Sequence, residues 1–199
     1  MHTQALNHLG KELRFELTKP HVRELMDFLM VEFNDAKDYH YNYYFDTPTG
    51  ELAKRNITLR QRTKVKDDEV RHEFTLKIPS IEENTYVEYH QPLSDKEMRL
   101  LVYNNHLPAG EIRDLNAVHG GFVQKTKVIR TSRVYATYQD ITVFFDKISH
   151  RGHNYYEIGV KIDAMPGVKT ETGVAQFHAL LAEFNHTYTP APRRSEKYH

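Results

Sequence analysis

Lys11-Glu12-Leu13-Arg14-Phe15-Glu16-Leu17 alternates charged and apolar side chains without a break. Successive side chains of a strand point to opposite faces, so Leu13, Phe15 and Leu17 define one face and Glu12, Arg14 and Glu16 the other. The period then changes. Thr18 suits a helix N-cap and Pro20 sits in a first turn, where its missing N–H does no harm. Val22, Leu25, Met26, Leu29, Met30 and Phe33 recur at helical spacing and predict a helix reaching Phe33. Working outward, strands are predicted over 39–45, 57–64, 73–78, 86–90, 122–138, 141–148 and 155–163. Turns fall at 46–50, Gln139-Asp140 and His150-Arg151-Gly152-His153. The capping-box pattern Ser94-Asp95-Lys96-Glu97 predicts a second helix to about residue 104, with a loop and a short helix towards His119, and Thr170 to Phe184 carries a last one.

With 199 residues the chain suits one domain over 1–199, ending in a polar tail at 194–199. Lys plus Arg and Asp plus Glu number 27 each, so no global field attracts nucleic acid or an acidic membrane, and any anion site must be local. The absence of cysteine excludes disulfides, thiolate zinc sites and a cysteine nucleophile, and fits a cytoplasmic setting. No apolar run is long enough to span a bilayer, no P-loop or dinucleotide glycine motif occurs, and the aromatics from Tyr39 to Phe45 read as wall packing rather than base stacking. The His150/His153 pair reads as a turn pair, not a metal site.

Splitting each strand into its two rows collects charge on one side. That row holds Glu12, Arg14 and Glu16; Arg60, Arg62 and Lys64; Glu73 and Lys77; Glu88 and His90; Lys127 and Arg133; Asp146; Glu157 and Lys161. The opposite rows are mostly apolar, as in Phe74, Leu76 and Ile78 or Ile158, Val160 and Ile162. An antiparallel sheet with one wet face explains such alternation by itself. A charged interior explains it too: if the helices bury their stripes on the apolar side, the charged side lines a wet bore. There, guanidinium and ammonium groups would bind phosphate oxygens, and carboxylates would hold Mg²⁺ or Mn²⁺.

These pieces resemble the CYTH, or triphosphate-tunnel, metalloenzymes, particularly the short bacterial members. The likeness runs from about Gly10 to Asp163 through Leu17-Thr18-Lys19, Tyr44-Phe45-Asp46-Thr47, Leu59-Arg60-Gln61-Arg62, Thr75-Leu76-Lys77, Val87-Glu88-Tyr89-His90-Gln91, Arg133, Phe145-Asp146 and Tyr156-Glu157-Ile158. It implies an α+β fold, a closed eight-stranded antiparallel β-barrel with helices outside. It also implies that Arg14, Arg60, Arg62, Lys77 and Arg133 converge on a triphosphate or other phosphorylated small molecule, to which Lys161, a departure from the family's pattern, would add a further substrate-binding cation. Glu12, Asp146 and Glu157 would hold Mg²⁺ or Mn²⁺, and Glu88 and Glu157 would serve catalysis.

The chain departs from the family's pattern on the metal side. Gly10 stands where the first carboxylate of Glu-x-Glu-x-Lys belongs, Arg14 replaces its lysine, Gly159 replaces an acid after Glu157, Lys161 stands where an acid is common, and Tyr135 does likewise. Two functions therefore remain open: a metal-dependent phosphohydrolase acting on inorganic or organic triphosphate, or a catalytically impaired polyphosphate- or nucleotide-binding protein of the same fold. Adenylyl cyclase chemistry, which also occurs in the family, is neither selected nor excluded.

Overall fold

In a computed structural model the described residues are 12–80, 86–119, 121–161, 170–184 and 187–192. The strands are β1 (Glu12–Leu17), β2 (Asp38–Asp46), β3 (Thr58–Lys66), β4 (Glu69–Pro79), β5 (Tyr86–Leu93), β6 (Gln124–Tyr138), β7 (Ile141–His150), β8 (His153–Lys161) and the two-residue β9 (Thr189–Pro190). The helices are α1 (Lys19–Phe28), α2 (Glu51–Lys54), α3 (Asp95–Asn104), α4 (Glu111–His119) and α5 (Thr170–Ala182). The strands form one sheet in the order β5-β4-β3-β2-β6-β7-β8-β1-β9, with antiparallel pairing in the ladders β3–β4, β4–β5, β6–β7, β7–β8 and β1–β8. Among the described residues the hydrogen-bonded order has two ends, β5 and β9, so the expected closed eight-stranded barrel gives way to a nine-stranded sheet that hydrogen bonds do not close.

The chain divides into two compact units, one over His40–Ile129, the other over Gly10–Tyr39 with Arg130–Pro192. Each buries one face of its strands under helices. In the first, Phe45, Leu59, Phe74 and Leu76 of the sheet pack with Leu52 of α2, Leu101 of α3 and Ile112 of α4. In the second, Leu17, Val143, Phe145, Ile158 and Val160 pack with Val22, Leu25 and Met26 of α1 and Phe177, Leu180 and Leu181 of α5. Each such fully buried Leu or Phe contributes about 1.5–3 kcal/mol. The apolar rows read from the sequence therefore face helices in both units, and the charged rows lie on the opposite face of the strands.

Local chemistry sets the ends of these elements. The Thr18 hydroxyl accepts from the His21 N–H and Pro20 occupies the first turn of α1. That helix stops at Phe28 rather than Phe33: Met30 adopts φ 54°, and the Met30 and Val31 N–H groups donate to the carbonyls of Asp27 and Met26 at 3.2 and 3.0 Å. This closes the helix in a left-handed cap. Leu29 and Phe33 still pack on the core from outside the helix, which is why their spacing imitated it, whereas Met30 of the same stripe is exposed. The capping box at α3 is present, with Ser94 and Glu97 each accepting from the other's backbone. Asp67 and Asp68, at φ 49° and 67°, form the two-residue link from β3 to β4 and lengthen both strands beyond the expected limits.

Candidate functional site

The polar face of the first unit is built by register. Lys77 on β4 stands between Thr58 and Glu88, Thr75 between Arg60 and His90, and Glu73 opposite Arg62. Asn42 of β2 reaches the same group, its Oδ1 accepting from Arg62 Nε at 2.8 Å while Nδ2 donates to the Ile129 carbonyl at 3.5 Å. Arg60 is held loosely: Nη2 donates to the Thr75 hydroxyl at 3.3 Å and lies 3.7 Å from a Glu73 oxygen. Its buried Nε finds no acceptor among the described residues. Lys77 pairs with Glu88. Burial, aided by the like charges of Arg60 and Arg62, outweighs Glu88 and holds the Lys77 ammonium below the ordinary lysine value. Arg60 and Arg62 are thus close enough to repel the Lys77 ammonium.

His90 joins the acids of this face. Its Nδ1 lies 3.3 Å from Glu73 Oε2 and its Nε2 3.2 Å from Glu88 Oε2. Hydrogen bonds to Glu73 and Glu88 push His90 up to about 9 against the opposing effect of burial, so it is an imidazolium at neutral pH. Burial works to raise both carboxyls, but His90 with Arg60 and Thr75 brings Glu73 down to about 2, and His90 with Lys77 brings Glu88 to about 2.

The second unit holds its charges differently. One row reads Glu16, Glu157, Asp146, Arg133 across β1, β8, β7 and β6, and the next reads Arg14, Gly159, Phe144, Tyr135. Arg133 donates from Nε and Nη2 to the two oxygens of Asp146, each at 2.7 Å, and both side chains are buried. Arg14 Nη1 donates to Glu157 Oε2 at 3.0 Å, with the Glu157 side chain 0% exposed. The Arg133 guanidinium lies 3.7 Å above the Phe144 ring. A Cβ added to Gly159 would sit 2.4 Å from Phe144 Cζ and 2.9 Å from Arg14 Cγ, so the ring occupies the space a side chain at 159 would need. Tyr135 donates to Asp38 at 2.8 Å; burial, reinforced by that carboxylate, pushes its hydroxyl up to about 12.

Set against the sequence expectations, Arg60, Arg62, Lys77 and Glu88 assemble in the first unit, and Arg14, Arg133, Asp146 and Glu157 in the second. Lys161 lies at the exposed end of its row, opposite Glu12 in register; the side chain of Glu12 is outside the described residues, as is Gly10. Three residues escaped the reading. Asn42 had a signal, an amide in an aromatic strand that disfavours it. Phe144 had one as well, since Phe144-Phe145 breaks the alternation and leaves a ring on the polar side. His90 was read as part of the charged row but not as the link between two acids.

Among the described residues, the acids expected to hold a divalent ion face cations instead. Both Asp146 oxygens and one Glu157 oxygen face guanidinium groups, both Glu88 oxygens face Lys77 or His90, and position 159 offers neither a ligand nor room for one. Among the described residues no three His, Asp or Glu side chains lie together as a metal-holding group.

The sequence model of the CYTH domain matches residues 11–182, across both units. Among solved structures the chain is similar to a Bacillus halodurans protein described as a candidate adenylate cyclase, with 25% identity, a TM-score of 0.77 and coverage of 96% of this chain and 97% of that one. It is similar to a Hippeastrum protein, described as a candidate adenylyl cyclase with a dominant triphosphatase activity, at 18% identity, a TM-score of 0.68 and coverage of 93% and 92%. A Pyrococcus horikoshii protein shares the fold at 18% identity and a TM-score of 0.54, with 91% and 94% covered. No curated protein matches. A family model spanning most of the chain, on a sheet whose polar rows carry the matched motifs, establishes that this chain belongs to the CYTH domain family.

Proposed function

We propose that this chain binds the triphosphate group of a small molecule, inorganic tripolyphosphate or a nucleotide, through the cations of the first unit's polar strand face, as one domain acting in the cytoplasm. The observation that carries the reading is Arg60: a guanidinium whose buried Nε–H lacks an acceptor among the described residues, and which together with Arg62 holds down the nearby Lys77. Such a group is stabilised when a polyanion supplies oxygens to several donors at once. Arg60, Arg62 and Lys77 take phosphate oxygens in the first unit; Arg14 and Arg133 are the anion donors of the second, with Lys161 adding charge at the end of its row. The paired carboxylates hold Arg14 and Arg133 in fixed rotamers, which lowers the ordering cost of binding. The description of the Bacillus halodurans relative as a candidate adenylate cyclase fits a nucleoside triphosphate among the ligands. The lack of cysteine supports the cytoplasmic setting.

A second reading, phosphohydrolase action on the same ligands, is favoured by family membership and by the presence of Glu88 and Glu157, which would orient the attacking water. One experiment separates the two. Calorimetric titration with tripolyphosphate in EDTA, beside pyrophosphate and orthophosphate, is expected to give roughly micromolar binding that weakens as the phosphate chain shortens. Phosphate release from tripolyphosphate is then followed in Mg²⁺ or Mn²⁺. Turnover above about 1 per second replaces the binding reading with the hydrolase, and no binding in any buffer removes both.

A further inference from the structure

We infer that Phe144 has become the positioning residue of a metal-free, arginine-only anion subsite in the second unit, standing where a carboxylate at 159 would otherwise reach. The inference rests on the triphosphate-binding reading for its ligand, but its metal arm does not. Three features of the same two rows support it. The ring fills the space over Gly159 so closely that even a methyl group would lie 2.4 Å from Cζ. The same ring lies 3.7 Å beneath the Arg133 guanidinium, whose remaining approach is fixed by the two-pronged Asp146 contact. Arg14, whose Cγ bounds the other side of the Gly159 space, is tied to Glu157. Aromatic ring, glycine and two arginines therefore form one interlocked piece, in which Asp146 and Glu157 act as counter-ions that aim guanidinium groups.

A carboxylate cannot return to position 159 unless the ring leaves, and when the ring leaves Arg133 loses its platform. Metal ligation and the arginine stack are in this way mutually exclusive at this place.

The test titrates Mn²⁺ into the full chain with no phosphate present, following the free-ion electron paramagnetic resonance signal. The wild type is expected to leave the signal unchanged at concentrations up to roughly millimolar, the weak end of protein sites for hard divalent ions. Phe144→Leu/Gly159→Glu, which removes the far end of the ring and supplies the acid, is expected to take up one equivalent. Phe144→Leu alone is expected to bind no Mn²⁺ and to weaken tripolyphosphate binding about threefold to tenfold in EDTA, as loss of the cation–π contact requires. Stoichiometric Mn²⁺ uptake by the wild type would overturn the inference. So would a folded double variant that gains no metal, or unchanged tripolyphosphate affinity in Phe144→Leu. If the double variant does not fold, the wild-type and single-variant arms decide alone. Absence of tripolyphosphate binding by the wild type itself would strike the functional reading and leave the Mn²⁺ result standing.

Discussion

In the first unit Arg60 touches Thr75 at 3.3 Å and Glu73 at 3.7 Å, and the surrounding His90, Glu73 and Lys77 are all partly open to solvent. In the second, Arg133 is locked to Asp146 by two contacts of 2.7 Å, and the Asp146 side chain is 0% exposed. The same residue types on the same kind of strand face thus serve two physical regimes. Arg60, held only by a neutral hydroxyl and a distant carboxylate oxygen, can exchange these weak partners for a phosphate at less expense than a short forked pair can. Buried forked pairs cannot be broken cheaply, since an uncompensated buried charge costs several kcal/mol. The first unit is therefore adaptable and the second is pre-set.

The largest effect expected from this contrast is on folding. Asp146→Asn, which strands Arg133, is expected to destabilise the chain by about 3–5 kcal/mol in urea unfolding, whereas Glu88→Gln, whose partners Lys77 and His90 keep some contact with solvent, is expected to cost less, about 1–2 kcal/mol. Equal losses from the two would break the contrast. Next in size, Gly159→Ala forces the added methyl group against the packed Phe144 ring and is expected to cost about 1–3 kcal/mol, measured by the same unfolding curves. A neutral outcome there would mean that the ring is free to move and the second unit is not pre-set.

The smallest effect is on pH dependence, and it belongs to the first unit. His90 is raised to about 9 from an ordinary 6.5, so its contribution is complete below pH 6.5 and is lost as pH climbs through 9. Glu73 and Glu88 are lowered from 4.5 to about 2, so theirs is present above pH 4.5 and fades as pH falls towards 2. Comparing melting temperatures of the wild type and His90→Gln should therefore show a downward slope between pH 6.5 and 9 in the wild type that the variant loses. Parallel curves would place His90 outside the acid string.

Much of this was legible in the chain. The alternation of Glu12 to Leu17, of Arg60, Arg62 and Lys64, and of Glu157 to Lys161 marks which side chains share a face, because strand geometry leaves no other choice once the strand exists. The hydrogen-bonded order of the strands was less legible, because closure depends on pairing between segments distant in sequence, which alternation does not encode. The sequence overextends helix α1 because Leu29 at its cap and Phe33 in the following 3-10 turn serve the core at helical spacing, and only the left-handed φ of Met30 marks the stop. Within the candidate site, the alternation shows which motif residues share a strand face but not which side chains they pair with. Gly159 read as a missing ligand, and its second meaning, room for Phe144, appears only when β7 and β8 are set in register.

The most direct test of the central claim, that Arg60 and its neighbouring cations of the first unit are the triphosphate grip, is equilibrium titration of Arg60→Ala/Arg62→Ala with tripolyphosphate in EDTA, beside the wild type. Charge-assisted hydrogen bonds from two guanidinium groups predict an affinity loss of at least about thirtyfold with the fold intact. An affinity within about twofold of the wild type, below what even one ordinary hydrogen bond contributes, would contradict it.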